Sequence, residues 1–279
     1  MHYQHRYHAG NFADVFKHVL LISLLRALNA KPKPWCYVDT HAGSGDYRLD
    51  IAEAARTGEF ERGIAQLLAD PRGAPEAVRD YLELIRTLNP EGPLRRYPGS
   101  PQIAQLLARD NDRLWLCENV AAIAAELRDV LHGDARAHIH QRNGYEISSL
   151  LPPPEKRALI LVDPPFERAD EFDACGDFLQ ASLKRFAHGV YAVWYPYKQR
   201  AQTQRWLRRM RAQLRQDSVN LTLSIGRPAE GRMRGCGLLV VNPPYAFMAP
   251  AQAAIDDLAV RLKQDDGAFA SFETWQVTP

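Results

Sequence analysis

The chain has 279 residues, 46% hydrophobic and 24% charged, with a formal net charge of +2; this is the make-up of a globular protein and excludes a disordered or collagen-like one. Four scattered cysteines (Cys36, Cys117, Cys175 and Cys236) have no CxxC spacing and no histidine cluster beside them. That argues against a disulfide framework and a zinc site and predicts a reducing, cytoplasmic location.

His2, His5 and His8 open the chain, without the i, i+4 pairing or neighbouring carboxylate of a metal site. Asn11 is placed to cap a helix that runs to about residue 30, where Lys31-Pro32-Lys33-Pro34 stops it. Its apolar run, 19–25, is too short to cross a bilayer and reads as a buried helix face. Residues 35–39 then form the first predicted strand. The loop beyond its end, Thr40-His41-Ala42-Gly43-Ser44-Gly45, carries glycines that let backbone approach a ligand, and it is not the GxGxxG of a dinucleotide enzyme.

From about residue 51 to 98 the alternation of strand and helix breaks. Residues 59–68 and 75–88 read as helices, so 51–98 is predicted to be a small helical insertion within a single domain spanning 1–279. Tyr97-Pro98-Gly99-Ser100-Pro101 returns the chain to the core, with Ser100 expected to cap and Pro101 to occupy the first helical position. Strands at 113–117 and 137–141 come after it, separated by a helix at 120–131. The first ends in Glu118-Asn119, where an acid can accept hydrogen bonds from ribose hydroxyls. The second leads to Asn143-Gly144, placed to serve an adenine ring.

Residues 157–162 are predicted to be a strand buried on both faces, as in a parallel sheet. It runs into Asp163-Pro164-Pro165-Phe166, and proline ends the ladder where open α/β sheets bind ligands. The simplest alternative is a proline turn in which Asp163 only caps the next segment. The chemical reading is richer. An exocyclic amine on a base is a poor nucleophile because its lone pair is delocalised into the ring. The Asp163 carboxylate and the Pro164 carbonyl could accept its two hydrogens and aim the nitrogen, while Phe166 stacks on an extruded base. The order of glycine loop, acid, Asn-Gly and Asp-Pro-Pro-Phe resembles the order in which methyltransferases acting on base amines build their sites.

Helix 173–186 and strand 190–194 come next. Between Phe178 and Gln216 there is no acidic residue. The helix in this stretch sets Trp206, Leu207, Met210 and Leu214 on one face and leaves arginines, among them Arg205, Arg208 and Arg209, for a phosphate backbone. Strands at 221–225 and 237–241, a helix at 249–263 and an edge strand at 272–277 complete the chain. Asn242-Pro243-Pro244-Tyr245 is a second turn with the letters of an amino-methyltransferase motif. It follows the final sheet strand, whereas Asp163 follows the fourth, with three ligand-bearing strands before it, so Asn242 is read as a structural turn.

The opening residues 3–18 (Tyr3-Gln4-His5-Arg6-Tyr7-His8-Ala9-Gly10-Asn11-Phe12-Ala13-Asp14-Val15-Phe16-Lys17-His18), together with Asp39-Thr40-His41-Ala42-Gly43, Tyr97-Pro98-Gly99-Ser100-Pro101, Asp163-Pro164-Pro165 and Trp194-Tyr195-Pro196, resemble the ribosomal RNA large subunit methyltransferase J family over nearly the whole length. The resemblance implies an α/β, Rossmann-like class I fold dependent on S-adenosylmethionine, with the helical insertion after the first strand. It implies methylation of adenine N6 in 23S ribosomal RNA. The cofactor would lie among His18, His41, Ser100, Glu118, Asn143, Gly144 and Asp163. Asp163, Pro164, Phe166, Lys17 and His5 would be catalytic, with Tyr3, His5, Lys17 and Phe166 toward the substrate. The expected partner is 23S ribosomal RNA, for a monomer using neither membrane nor metal. Phe166 stands where this family usually has Tyr, and Asn143 where Asp is common. Guanine-N2 methylation, for which Asp-Pro-Pro-Phe also serves, and a non-catalytic RNA-binding assembly factor are the competing readings.

Overall fold

The computed structural model describes residues 5–276, without the side chains of His5, Glu53 and Ala55. The described residues form ten strands: β1 (Cys36–Asp39), β2 (Asp46–Arg48), β3 (Arg96–Pro98), β4 (Arg113–Cys117), β5 (Ala137–His140), β6 (Ala158–Val162), β7 (Val190–Pro196), β8 (Ser218–Ile225), β9 (Gly235–Val241) and β10 (Ala268–Trp275). Eight of them make one sheet in the order β10-β8-β9-β7-β6-β1-β4-β5. From β5 to β7 every pairing is parallel, while β9 runs antiparallel to both of its neighbours. This is the expected Rossmann-like α/β sheet, and its order reverses beside β1, where α/β sheets leave a crevice.

The α-helices among the described residues are α1 (Phe12–Asn29), α2 (Ala52–Thr57), α3 (Ile64–Ala69), α4 (Glu76–Leu88), α5 (Ser100–Leu107), α6 (Ala121–Val130), α7 (Glu171–Arg185), α8 (Arg200–Gln213) and α9 (Tyr245–Arg261). Alternating strand residues feed two cores. Tyr37, Leu159 and Leu161 face the side covered by α1, α4 and α9. Val38, Ile160 and Val162 face α7 and α8. Both faces of β6 are therefore buried, which explains its unbroken apolar run.

Helix α1 differs from the expected half-buried helix. It is enclosed nearly all round, because α4, α5 and α9 pack on it as well as the sheet. Asn11 caps it as expected, accepting from the Ala13 and Asp14 amides. The insertion is helical, but its ends are tied by β2 and β3, an antiparallel pair of three residues each, too short to show alternation in sequence. Its α4 buries Val78, Tyr81, Leu82 and Ile85 in the core shared with α1. The edge strand falls at Ala268–Trp275 and not at 272–277, since it pairs along the whole of β8; Val277 lies outside the described residues.

Candidate active site

The carboxyl ends of β1, β4, β5, β6 and β7 open on a cleft of about 1020 Å³. Thr40 fixes the middle of this edge: its amide and its hydroxyl both donate to the Leu161 carbonyl, joining the ends of β1 and β6. Gly144 fixes a second point. A Cβ there would stand 1.7 Å from the Thr40 carbonyl oxygen, so the β5 loop approaches the β1 loop at a distance only glycine allows.

Asp163 lies at the cleft wall directly after β6. Its Oδ2 accepts from Lys17 Nζ at 2.6 Å, and Lys17 also contacts Asp14 Oδ1 at 3.1 Å. Lys17 and Asp14 are almost wholly buried, whereas the Asp163 side chain keeps 17% of its surface open to the cleft. The second Asp14 oxygen accepts the Gly10 amide at 3.0 Å. One buried lysine thus sits between two carboxylates, and the one facing the cleft keeps its Oδ1 clear of any hydrogen bond among the described residues. Phe166 packs against Phe172 and Trp194, with ring centroids at 4.9 and 5.8 Å. Its backbone is left-handed, φ +51°, a conformation that costs a non-glycine residue about 1–2 kcal/mol. Phe166 and the two prolines before it line the cleft together.

Around the glycine loop the polar groups are organised from below. Asp39 is fully buried and accepts from Ser100 Oγ (2.6 Å), Tyr37 Oη (2.7 Å) and the His41 amide (3.1 Å). Burial pushes its carboxyl up to about 6, while those three donors hold it down. Ser100 is therefore not the cap expected from sequence. Gly99 occupies that place, and the Ser100 hydroxyl serves the buried carboxylate, which needs a donor more. His41 Nδ1 meets Thr40 Oγ1 at 2.8 Å, and burial holds its imidazole down to about 4 against the pull of Asp163, so it is neutral near pH 7. Glu118 ends β4. Its two oxygens each take one backbone donor, Gly43 at 3.1 Å and Val120 at 2.7 Å, and lone pairs remain on both. Asn143 caps the short helix after β5 by accepting from the Tyr145 amide, so its oxygen is partly committed. His18 Nδ1 meets Tyr97 Oη at 2.8 Å, and Tyr97 in turn meets Tyr81 at 3.0 Å.

Lys17, His18, His41, Ser100, Glu118, Asn143, Gly144, Asp163, Pro164 and Phe166 all line this one cleft. Tyr3 lies outside the described residues, and so does the side chain of His5. Sequence reasoning missed Asp14 and Asp39, whose roles rest on partners brought by the fold. It also missed the β8–β9 loop, which adds Arg232, Met233 and Arg234 to the cleft wall. The three arginines at 227, 232 and 234 were the available signal.

The basic stretch is only partly free. On α8, Arg209 binds Asp173 and Asp177 of α7, and Arg211 binds Glu273 of β10. The second proline turn is structural, as read. Because β9 is antiparallel, Asn242 emerges at the opposite edge of the sheet, where its side-chain amide donates to the Ala187 and Gly189 carbonyls at 2.8 Å each.

Among the described residues no group of three or more His, Cys, Asp or Glu side chains could hold a metal ion, and no helix is long and apolar enough to cross a membrane. Residues 32–277 match the family described as ribosomal RNA large subunit methyltransferase D, RlmJ. The chain is 38% identical over 245 residues to ribosomal RNA large subunit methyltransferase J of Escherichia coli, covering 87% of each. It is 38% identical over 248 residues to the protein of that name from Haemophilus influenzae, covering 88% of each. A crystal structure of a Legionella pneumophila protein superposes with a TM-score of 0.89 at 34% identity, covering 96% of this chain and 98% of that one.

Proposed function

The chain belongs to the RlmJ family of ribosomal RNA large subunit methyltransferases, and from that premise we propose that it transfers a methyl group from S-adenosylmethionine to the exocyclic N6 of an adenine in 23S ribosomal RNA. The observation that carries the reading is Asp163. Its carboxylate lines the cleft after β6, with Oδ2 held by Lys17 and Oδ1 clear of any hydrogen bond among the described residues. Beside it the Pro164 carbonyl supplies a second acceptor in a turn that proline makes rigid. An amino group meeting both acceptors would have its hydrogens fixed and its nitrogen aimed. Lys17 keeps the carboxylate oriented, and Asp14 keeps Lys17 in place from the buried side. The Phe166 face offers a stacking surface for a base withdrawn from its helix.

The residues present fit the cofactor. Glu118 has lone pairs left for ribose hydroxyls, Asn143 and Gly144 would border its adenine, and glycine at 144 lets the β5 loop close against Thr40 without a side chain intruding on the cleft. S-adenosylmethionine, when bound, supplies the electrophilic methyl group. A neutral His41 adds no positive charge beside a sulfonium, and the nearby Asp163 carboxylate favours one. We extend the reading to a monomer acting in the cytoplasm, with which four free, buried cysteines are compatible.

The test is to incubate unmodified 23S ribosomal RNA with the protein and labelled cofactor, digest to nucleosides and separate them. Label in N6-methyladenosine is expected. Label in N2-methylguanosine would replace the adenine reading with the guanine one, and no label at all would favour an assembly factor.

A further inference from the structure

Most of the cations along the active-site cleft are already engaged. Lys17 lies between two carboxylates, Arg6 faces Glu126 at 3.7 Å, His8 sits on Glu59 at 3.0 Å, and Arg168 is held by Asp170. Arg234 is paired with Asp265 at 3.2 Å. Two unengaged cations stand together on the wall made by the β7–α8 turn and the β8–β9 loop: Lys198 and Arg232, both exposed and neither with a carboxylate partner among the described residues. A third, Arg200, adjoins them in a small depression that shares Lys198, Arg232 and Arg234 with the main cleft. Its guanidinium lies 5.4 Å from the centre of the Tyr197 ring, which engages it without neutralising it. Arg62, also without a carboxylate partner among the described residues, belongs to the insertion on the other side of the cleft.

This wall is built and not merely trailing. Asp265 accepts the Arg227 and Gly267 amides at 2.8 Å each and pairs with Arg234, so one carboxylate of the α9–β10 turn clamps the base of the β8–β9 loop. The Gln264 amide donates to the Ile225 carbonyl at 2.7 Å and closes the same corner. The clamp consumes Arg234 and leaves Arg232 projecting. One acid, Glu230, stands exposed in the loop. On α8, Arg209 and Arg211 are tied to acids of neighbouring elements, while Arg205 and Arg208, without a carboxylate partner among the described residues, do not line the cleft.

We propose that Lys198, Arg200 and Arg232 form a phosphate-binding rim that grips the RNA backbone flanking the target nucleotide. The inference rests on the RNA-methyltransferase reading and names the part of that site which takes the strand. Unneutralised cations continuous with the cleft bind a polyanion in proportion to the phosphates they contact, without reading sequence. An extruded base at Asp163 leaves its own backbone at the mouth of the cleft, where this rim stands.

The experiment measures methyl-transfer kinetics and filter binding on 23S ribosomal RNA over a series of salt concentrations. It compares the intact protein, the double variant Lys198→Ala/Arg232→Ala, and Arg209→Ala as a control on the paired part of α8. The double variant is expected to raise the RNA dissociation constant and KM about tenfold, the sum of two exposed ionic contacts. Its plot of log affinity against log salt should be shallower by about 1.4, at about 0.7 per phosphate on a single strand. Arg209→Ala should change neither. Unchanged affinity in the double variant, or weaker affinity with an unchanged salt slope, would overturn the rim. Filter binding judges this inference even if the labelled product is not N6-methyladenosine, so failure of the rim and failure of the adenine reading are told apart.

Discussion

The chain contains two turns of nearly the same spelling, Asp163-Pro164-Pro165-Phe166 and Asn242-Pro243-Pro244-Tyr245, and they have opposite fates. The first comes after β6, which is parallel to β1 and β7, so it emerges at the edge where the cleft lies. The second comes after β9, antiparallel to β7, and emerges at the far edge. Asp163 is bound on one oxygen and open on the other. Asn242 spends both amide hydrogens on backbone carbonyls. Phe166 packs with Phe172 and Trp194 at the cleft, while Tyr245 is 96% exposed. Residue types make such a turn capable of chemistry. Strand polarity decides whether it faces the cleft.

The largest effect expected from breaking this contrast is in Asp163→Ala. If Asp163 and Pro164 hold the reacting amine, single-turnover methyl transfer should fall by about 10²–10³-fold, the scale of losing one preorganised group at a reacting centre. Loss of less than tenfold would move the amine elsewhere. Next is Glu118→Ala, which should weaken cofactor binding by about 1.5–3 kcal/mol, the range for hydrogen bonds to a charged group. Titration calorimetry showing full affinity would remove Glu118 from the ribose.

Asn242→Ala sharpens the contrast from the other side. It leaves two carbonyls without their donor and puts alanine at φ +55°, so urea unfolding should show a loss of about 1–2 kcal/mol. The smallest effect concerns pH. His41 is held down to about 4 in the folded protein, from an ordinary value of 6.5. Between these values the unfolded chain binds the extra proton, so His41 contributes stability above pH 6.5 that is lost as the pH falls toward 4. Asp39, pushed up to about 6 from 3.8, acts in the opposite sense and loses stability as the pH rises through that range. His41→Gln should therefore weaken the acid-side decline in urea midpoint between pH 6.5 and 4, and an unaltered profile would show that His41 does not titrate as described.

The features legible in the sequence were those with a local signature. The buried run 158–162, the proline turn after it, the Asn11 cap and the acid closing β4 all stand where composition and spacing put them. The features it hid depend on partners far away in the chain. Lys17 and Asp163 are 146 residues apart, and nothing in either neighbourhood marks the pair. Asp39 looks like any strand-end acid until Ser100 is folded against it, which is also why Ser100 does not cap its helix. The family resemblance singled out Gly144, but why glycine stands there, the closeness of Thr40, belongs to the crossing of two loops. The arginines of α8 were visible as charge, but the neutralisation of Arg209 by α7 and of Arg211 by β10 was not.

The central claim, that Asp163 and not Asn242 holds the reacting amine, is tested most directly by mass mapping of 23S ribosomal RNA. The RNA would come from cells lacking this protein, complemented in turn with the intact chain, Asp163→Ala and Asn242→Ala at matched protein levels. An adenine methyl group should disappear in the deletion and return with the intact chain and with Asn242→Ala, but not with Asp163→Ala. Return of the methyl group with Asp163→Ala, or its absence with well-folded Asn242→Ala, would contradict the claim.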